Sequence, residues 1–320
     1  GKHINTIKED LEALVDKRLH WTLLTLPILG IVIFTILPLI FMICMAFTSY
    51  SKVGDHLTIF HWVGLKNFST VLGMGNSIGK TFWSVLGWTL IWAVLATFLN
   101  YILGMILAIV INRKTTRIKG FWRFCFMLSA AIPQFVSLLL MRTMLKDNGL
   151  INNLLVQAGL ISSPLPFLTN ATWARATVVI INLWVGIPFT MMQVTGILQN
   201  IPGELYEAAR VDGAGPVTIF FKITLPYMLF VTTPYLITTF TGNINNFNVI
   251  YLLTAGAPVP VGATAGKTDL LVTWLYKLTV DLQYFNVGAV VGILTFVILA
   301  VVSLITYRNT GSYKNEEGFQ

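Results

Sequence analysis

Glu207-Ala208-Ala209-Arg210-Val211-Asp212-Gly213-Ala214-Gly215-Pro216, running on through Phe220 to Ile223-Thr224-Leu225-Pro226, is a polar island between two long apolar runs. It joins charge, small residues and a central glycine in a fixed order. A short connection between membrane helices needs none of these features. A loop that docks as a rigid knob into another protein needs all of them. Residues 205–209 read as a short helix begun after Ile201-Pro202-Gly203, with Glu204 and Glu207 near its N-terminus, where negative charge suits the helix dipole. Gly213 permits a sharp turn that a Cβ would hinder, and Pro216 favours a second helical start leading into the next apolar run. The blander alternative is a well-capped reversal between two spans.

Composition sets the setting of that island. Of the 320 residues, 55% are hydrophobic and only 11% charged, with a mean hydropathy of +0.75. A water-soluble chain of this size has no way to hide so much apolar surface, so the fold class is an all-α integral membrane protein. The net charge of +8 does not point to nucleic acid, because the basic residues crowd at the ends of apolar runs. Cys44 and Cys125 lie in apolar segments and read as buried small hydrophobes rather than a disulfide or a metal site. The first apolar run follows roughly twenty polar residues and exceeds a signal-peptide core, so it is expected to be retained.

Runs of spanning length, about 20 residues, fall near 22–47, 84–111, 124–145, 176–200, 224–248 and 285–307, giving six transmembrane helices. Arg113, Lys114, Arg117, Lys119 and Arg123 follow the second run, and positive charge stays in the cytoplasm. Both termini, the 201–223 loop and the 311–320 tail are then cytoplasmic, and 21–310 forms one membrane domain. Lys52, Lys66 and Lys80 in the first outer loop make this bias less than absolute. Within 1–20, Ile4, Ile7, Leu11, Leu14 and Val15 recur at helical spacing among charges, which reads as an amphipathic helix on the inner membrane face or against a partner.

All thirteen acidic residues fall outside the six apolar cores. A charge at a helix centre costs about 3 kcal/mol, and membranes keep one mainly for ion or proton handling. Its absence weakens a self-contained ion-coupled carrier and favours a neutral permeant, with energy supplied by another subunit. The chain itself offers no phosphate loop: the stretch ending Gly79-Lys80-Thr81 has Met74 where the pattern needs glycine. No catalytic or metal-binding constellation appears, so the chain is read as a non-enzyme without a cofactor of its own.

The spacing Glu207-Ala208-Ala209, three residues, Gly213, nine residues, Ile223-Thr224-Leu225-Pro226 resembles the cytoplasmic loop of permease subunits in binding-protein-dependent ABC importers. The resemblance implies the type I permease architecture in a bacterial plasma membrane. It also implies a homologous second permease, two ATPase subunits that bind ATP and magnesium, and an extracellular sugar-binding protein. Glu204, Glu207, Ala208, Ala209, Asp212 and Gly213 would then couple to the ATPase. From about residue 121 onward the chain is similar to the larger membrane subunit of maltose and maltodextrin importers, through Ala131-Ile-Pro133, Asn182-Leu-Trp184-Val-Gly186-Ile-Pro188, Asn243-Ile-Asn-Asn246-Phe247 and Thr268-Asp-Leu-Leu-Val272. The best-known enteric members carry a large outer domain that has no counterpart here, which implies a different docking mode for the binding protein.

Polar residues inside two spans share helical faces: Asn182, Gly186, Phe189 and Gln193 in the fourth, and Thr239, Asn243 and Asn246 in the fifth. With the run ends given above, Asn182 and Asn243 both lie roughly 8–9 Å below the outer surface. Neutral amides beside an aromatic suit a polyhydroxyl ligand; they equally suit interhelical bonding, and spacing alone leaves both open. The maltose-permease likeness assigns sugar contacts to Gln134, Asn182, Val185, Gly186, Phe189, Thr239, Asn243 and Asn246. It also places Ala130 where the family has an aromatic, implying room for a longer oligosaccharide. Pro133, Pro188, Pro226 and Pro234 are expected to break or bend helices nearby, and 269–281 reads as an interfacial helix that anchors to the membrane or meets the binding protein.

Overall fold

The computed structural model describes residues 2–53, 56–58 and 61–309; the expected 311–320 tail lies outside them. From Lys2 onward the chain is one long helix, in which α1 (Lys2–Ile31) and α2 (Leu37–Ala46) join through a π-helical turn at Val32–Ile36. The amphipathic 1–20 segment is thus continuous with the first span rather than a separate helix. Neither glycine nor proline stands between Asp16 and Leu26 to interrupt it.

A short antiparallel hairpin follows, β1 (Ser51–Val53) paired with β2 (His56–Thr58) in the register Ser51↔Thr58. It is the one exception to an all-helical chain among the described residues. Next come α3 (Lys66–Leu72), α4 (Ser77–Val94) and α5 (Asn100–Asn112), with a π turn at Leu95–Leu99 linking the last two. Asn76 starts α4 by accepting from the Gly79 N–H at 2.8 Å.

The third apolar run is not a straight span. It divides into α6 (Lys119–Ala131) and α7 (Gln134–Met144), which meet at 83°. Pro133 supplies no N–H, and Ile132 before it is extended (φ −80°, ψ 129°), as the residue preceding proline prefers. After α8 (Leu150–Gln157), α9 (Ala171–Leu198) begins where the Asn170 side chain accepts from the Thr172 and Trp173 N–H groups. It runs unbroken through Pro188.

The polar island folds as α10 (Gly203–Val211) and α11 (Pro216–Ile219), the latter passing through a π turn at Phe220–Thr224 into α12 (Leu225–Ile244). Pro226 sits in the first turn of α12 and Pro234 inside it, so Pro133 alone of the four expected helix-breakers separates two helices. The chain closes with α13 (Phe247–Leu253), α14 (Leu271–Tyr276) and α15 (Phe285–Arg308).

Five stretches among the described residues are long and apolar enough to cross a membrane: Ile4–Ala46, Ser77–Asn112, Ala171–Leu198, Pro216–Leu253 and Phe285–Arg308. The bent α6–α7 pair makes the sixth. Toward the α10 end, Tyr101, Met105, Met191, Val194 and Met228 bury the contact of α5, α9 and α12. Toward the other end, Trp88, Trp92, Val178, Ile181, Val249 and Ile250 do so for α4, α9 and α13. Gly104 makes the α5–α9 approach possible, since a Cβ there would lie 2.7 Å from the Thr190 Cγ2. The first helix, by contrast, shows its apolar side chains outward. Cys44 and Cys125 are exposed as well, not buried as expected. In a bilayer an apolar position is satisfied by lipid as readily as by a core.

Candidate functional site

Helix α10 projects at one end of the bundle and contributes no buried residue. It extends two residues beyond each end of the expected 205–209 helix. Its C-terminus is closed by the Asp212 N–H to the Ala208 carbonyl (3.0 Å), Gly213 N–H to Arg210 (3.0 Å) and Ala214 N–H to Ala209 (2.9 Å). Gly213 takes φ +81°, a left-handed conformation that costs about 1–2 kcal/mol with a Cβ present. One face anchors the helix: Tyr206 Oη lies 3.0 Å from Thr224 Oγ1, and Ile201, Tyr206, Phe220 and Ile223 pack into the core. Glu204, Glu207, Ala208, Asp212 and Gly213 are exposed, Ala209 is half-buried, and Leu205 and Val211 add apolar surface, Val211 being 86% exposed. The result is an acidic and apolar surface held on a rigid mount.

A cavity of about 370 Å³ opens where α6 and α7 meet beside the middle of α9. Gln134, Asn182, Val185, Gly186 and Phe189 line it together, with Ser129, Ala130 and Ser137 from the broken span. Among the described residues the amides of Gln134 and Asn182 have no hydrogen-bond partner, although Asn182 is only 8% exposed. Pro188 lacks the N–H that a helix would give to the Trp184 carbonyl, which frees an acceptor on a residue of the cavity wall. No carboxylate or cation lines this space. Its donors and acceptors are neutral and its walls partly apolar, which suits an uncharged polyhydroxyl ligand. Ser129 and Ser137 were missed from sequence; their positions four residues to either side of Pro133 are the signal that marks them.

Thr239, Asn243 and Asn246 do not line that cavity. Asn243 Nδ2 donates to Thr97 Oγ1 at 2.9 Å, and the Asn243 carbonyl accepts from Trp92 Nε1 at 3.0 Å. Asn246 Oδ1 caps α13 by accepting from the Val249 N–H at 3.4 Å. The spans run further outward than the apolar runs that set the expected depth, so both asparagines lie deeper than expected. α9 begins at Ala171, placing Asn182 eleven residues (roughly 16 Å) inside it, and Asn243 stands ten residues before the end of the Pro216–Leu253 span, just ahead of the break between α12 and α13.

The end of the bundle opposite α10 carries a hydrogen-bonded cap formed by residues 254–284. Its centre is Asp269, which has no accessible surface. Its carboxylate accepts from the Gly266 N–H (2.7 Å), Thr273 Oγ1 (2.8 Å) and Lys277 Nζ (2.6 Å). Thr268 Oγ1 lies 2.9 Å from Thr254 Oγ1 and donates to the Ala257 carbonyl at 2.7 Å. The expected 269–281 interfacial helix is therefore rooted in a buried ion pair. Asp269, Thr273 and Lys277 stand four residues apart, a one-face helical spacing visible in the sequence.

Residues 100–310 match the family described as the binding-protein-dependent transport system inner membrane component. The galactooligosaccharides transport system permease protein GanP of Bacillus subtilis is 36% identical over 99% of this chain and 76% of its own length. The maltodextrin transport system permease protein MdxF of the same organism is also 36% identical, over 99% of this chain and 75% of its own. A crystal structure of a bacterial alginate ABC transporter, in complex with an alginate pentasaccharide-bound periplasmic protein, holds a chain of the same fold. It aligns with a TM-score of 0.68 at 24% identity, over 92% of this chain and 94% of that one.

Proposed function

Because this chain belongs to the family of binding-protein-dependent transport system inner membrane components, we propose that it supplies one half of the pathway through which an ABC importer moves neutral oligosaccharides of the maltodextrin type. The observation that carries this reading is α10, an acidic and apolar surface left uncovered on a rigid mount. A docking face of that kind suits an ATPase subunit, with Glu204, Glu207 and Asp212 meeting it, Ala208 and Ala209 allowing close approach, and Gly213 forming the turn.

The basic residues 113–123 support a cytoplasmic α10 end, with both termini on the same side. The cap over 254–284 then faces outward, where a periplasmic or extracellular sugar-binding protein delivers its ligand; the alginate transporter in complex with a pentasaccharide-bound periplasmic protein supports such a partner. A homologous second permease and two ATPase subunits complete the assembly, and ATP and magnesium belong to those ATPases. When the ATPases close, the two permeases' knobs approach each other and the helices rock between inward-open and outward-open states.

Sugar hydroxyls bind in the 370 Å³ cavity against Gln134, Asn182, Val185, Gly186 and Phe189. Thr239, Asn243 and Asn246 form the α12 side of the path. In this conformation Asn243 and Asn246 are occupied in fastening helix ends. Uptake by proteoliposomes separates this reading from its rivals. Glucose oligomers should enter only when the ATPases, both permeases and the binding protein are all present. Uptake by this chain alone under a proton or sodium gradient would make it a self-contained carrier and overturn the proposal.

A further inference from the structure

We propose that the cleft between the first turns of α4 and α9 and the 260–269 loop is a carboxylate socket, which takes an acidic side chain of the docked binding protein. The inference rests on the reading above that such a protein docks at this end of the bundle. The cleft encloses about 190 Å³, and Lys80, Arg175 and Lys267 are among the residues that line it. The carboxylate in its wall, Asp269, is already saturated by the Gly266 N–H, Thr273 and Lys277. Lys277–Asp269 is the single ion pair among the described residues, so the three cations of the cleft have no counterion within them.

Arg175 is held in place. Its Nε donates to the Lys267 carbonyl at 2.8 Å, and its guanidinium lies 4.7 Å over the Trp88 ring. Trp88 is itself fixed through Nε1 to the Thr268 carbonyl at 3.2 Å. With Nε engaged, both terminal nitrogens of the guanidinium remain for the fork geometry in which arginine grips a carboxylate. A fixed guanidinium loses little freedom on binding. Three like charges gathered without a partner raise the energy of the empty cleft, and an arriving anion relieves it.

The cargo path supplies no such anion, since its cavity is lined by neutral groups and lies deeper along α9. Arg175 stands near the start of α9, roughly 35 Å by helical rise from the end that leads to α10. That is the face which receives the delivery protein. Val259 and Val261, exposed on the same loop, give the socket an apolar rim, the arrangement of a charged anchor beside a desolvated contact. Clustered positive charge also speeds the approach of an acidic partner.

The test uses the whole transporter in nanodiscs and its fluorescently labelled cognate binding protein, comparing wild type with the Lys80→Glu/Lys267→Glu double variant. Neither lysine side chain makes a hydrogen bond that holds the fold, and co-elution of all subunits checks assembly. The expected result is at least a tenfold weaker Kd at low salt, with the difference shrinking as ionic strength rises. Unchanged affinity, or a loss that is the same at every salt concentration, overturns the socket. So does a loss seen only in nanodiscs containing phosphatidylglycerol, which would place a lipid phosphate there. Wild-type transporter that binds no delivery protein overturns the docking reading and the socket with it, whereas a charge-reversal result bears on the socket alone. In a second measurement a carbodiimide joins lysine amines to carboxylates in the wild-type complex, the water lost in amide formation passing to the reagent as a urea. Mass spectrometry should find Lys80 or Lys267 linked to an aspartate or glutamate of the binding protein. Linkage of other permease lysines but never of these two would contradict the assignment.

Discussion

The two ends of this bundle solve opposite problems. At one end α10 leaves its carboxylates, Leu205 and Val211 uncovered, and only Tyr206 and its neighbours tie it down. At the other end the 254–284 cap turns its polar groups inward, so that Asp269 has three donors and no exposed surface. On the function proposed above, another polypeptide finishes the first surface, whereas the knot around Asp269 is finished by the chain itself. Substitutions should therefore separate: at Asp269 and its partners they cost folding, and at α10 they cost function.

The largest effect on stability is expected from Asp269→Ala. Removing one partner of a buried pair strands the other charge and typically costs about 3–5 kcal/mol. Thermal unfolding of the purified transporter and protease cleavage within 254–284 should both report it, and an unchanged unfolding temperature would break the contrast at its stable end. Glu207→Lys tests the other end. Transport should fall at least tenfold while stability moves by no more than about 0.5 kcal/mol, as for an exposed site; wild-type uptake would remove the docking role.

A matched pair sharpens the contrast inside the membrane. Asn182→Leu should lower oligosaccharide uptake about tenfold, the value of a hydrogen bond of about 1.4 kcal/mol, and leave assembly intact. Asn243→Leu should instead cost about 1 kcal/mol of stability, because its amide bonds Thr97. Unchanged stability in Asn243→Leu together with a transport defect would show that this amide serves the sugar path alone and not the fold. The smallest effect belongs to Ala130→Tyr, which fills part of the cavity and should shift preference toward shorter glucose oligomers by a few-fold. An unaltered chain-length profile in competition uptake would show that Ala130 does not face the sugar.

The knob was legible because its determinants are local. Charge order, the turn at Gly213 and the start at Pro216 all act within twenty residues. Five of the spans were legible because hydropathy over a long window needs no tertiary information. The break at Ile132–Pro133 was foreshadowed by proline, but its 83° bend is set by what α6 and α7 pack against, α9 for one and α13 for the other. The sugar path was half legible. Gln134, Asn182, Val185, Gly186 and Phe189 do meet around one cavity, whereas the amide of Asn243 turns to Thr97, a choice set by which helix packs beside it and not by spacing along its own. The Asp269–Thr273–Lys277 spacing is visible in the sequence, but its burial is not, because the Gly266 N–H and the Thr254–Thr268 contact arrive only when the 254–268 loop folds back on α14.

The central claim is that α10 lies in the cytoplasm against an ATPase subunit. It is tested most directly by Ala208→Cys in a background where Cys44 and Cys125 are replaced by serine. In intact cells that thiol should resist a membrane-impermeant maleimide, and in inverted vesicles it should form an oxidant-induced disulfide with a cysteine placed in the surface cleft of the ATPase. Labelling from outside intact cells, or failure to cross-link to any ATPase position in an assembled and active transporter, would contradict the account.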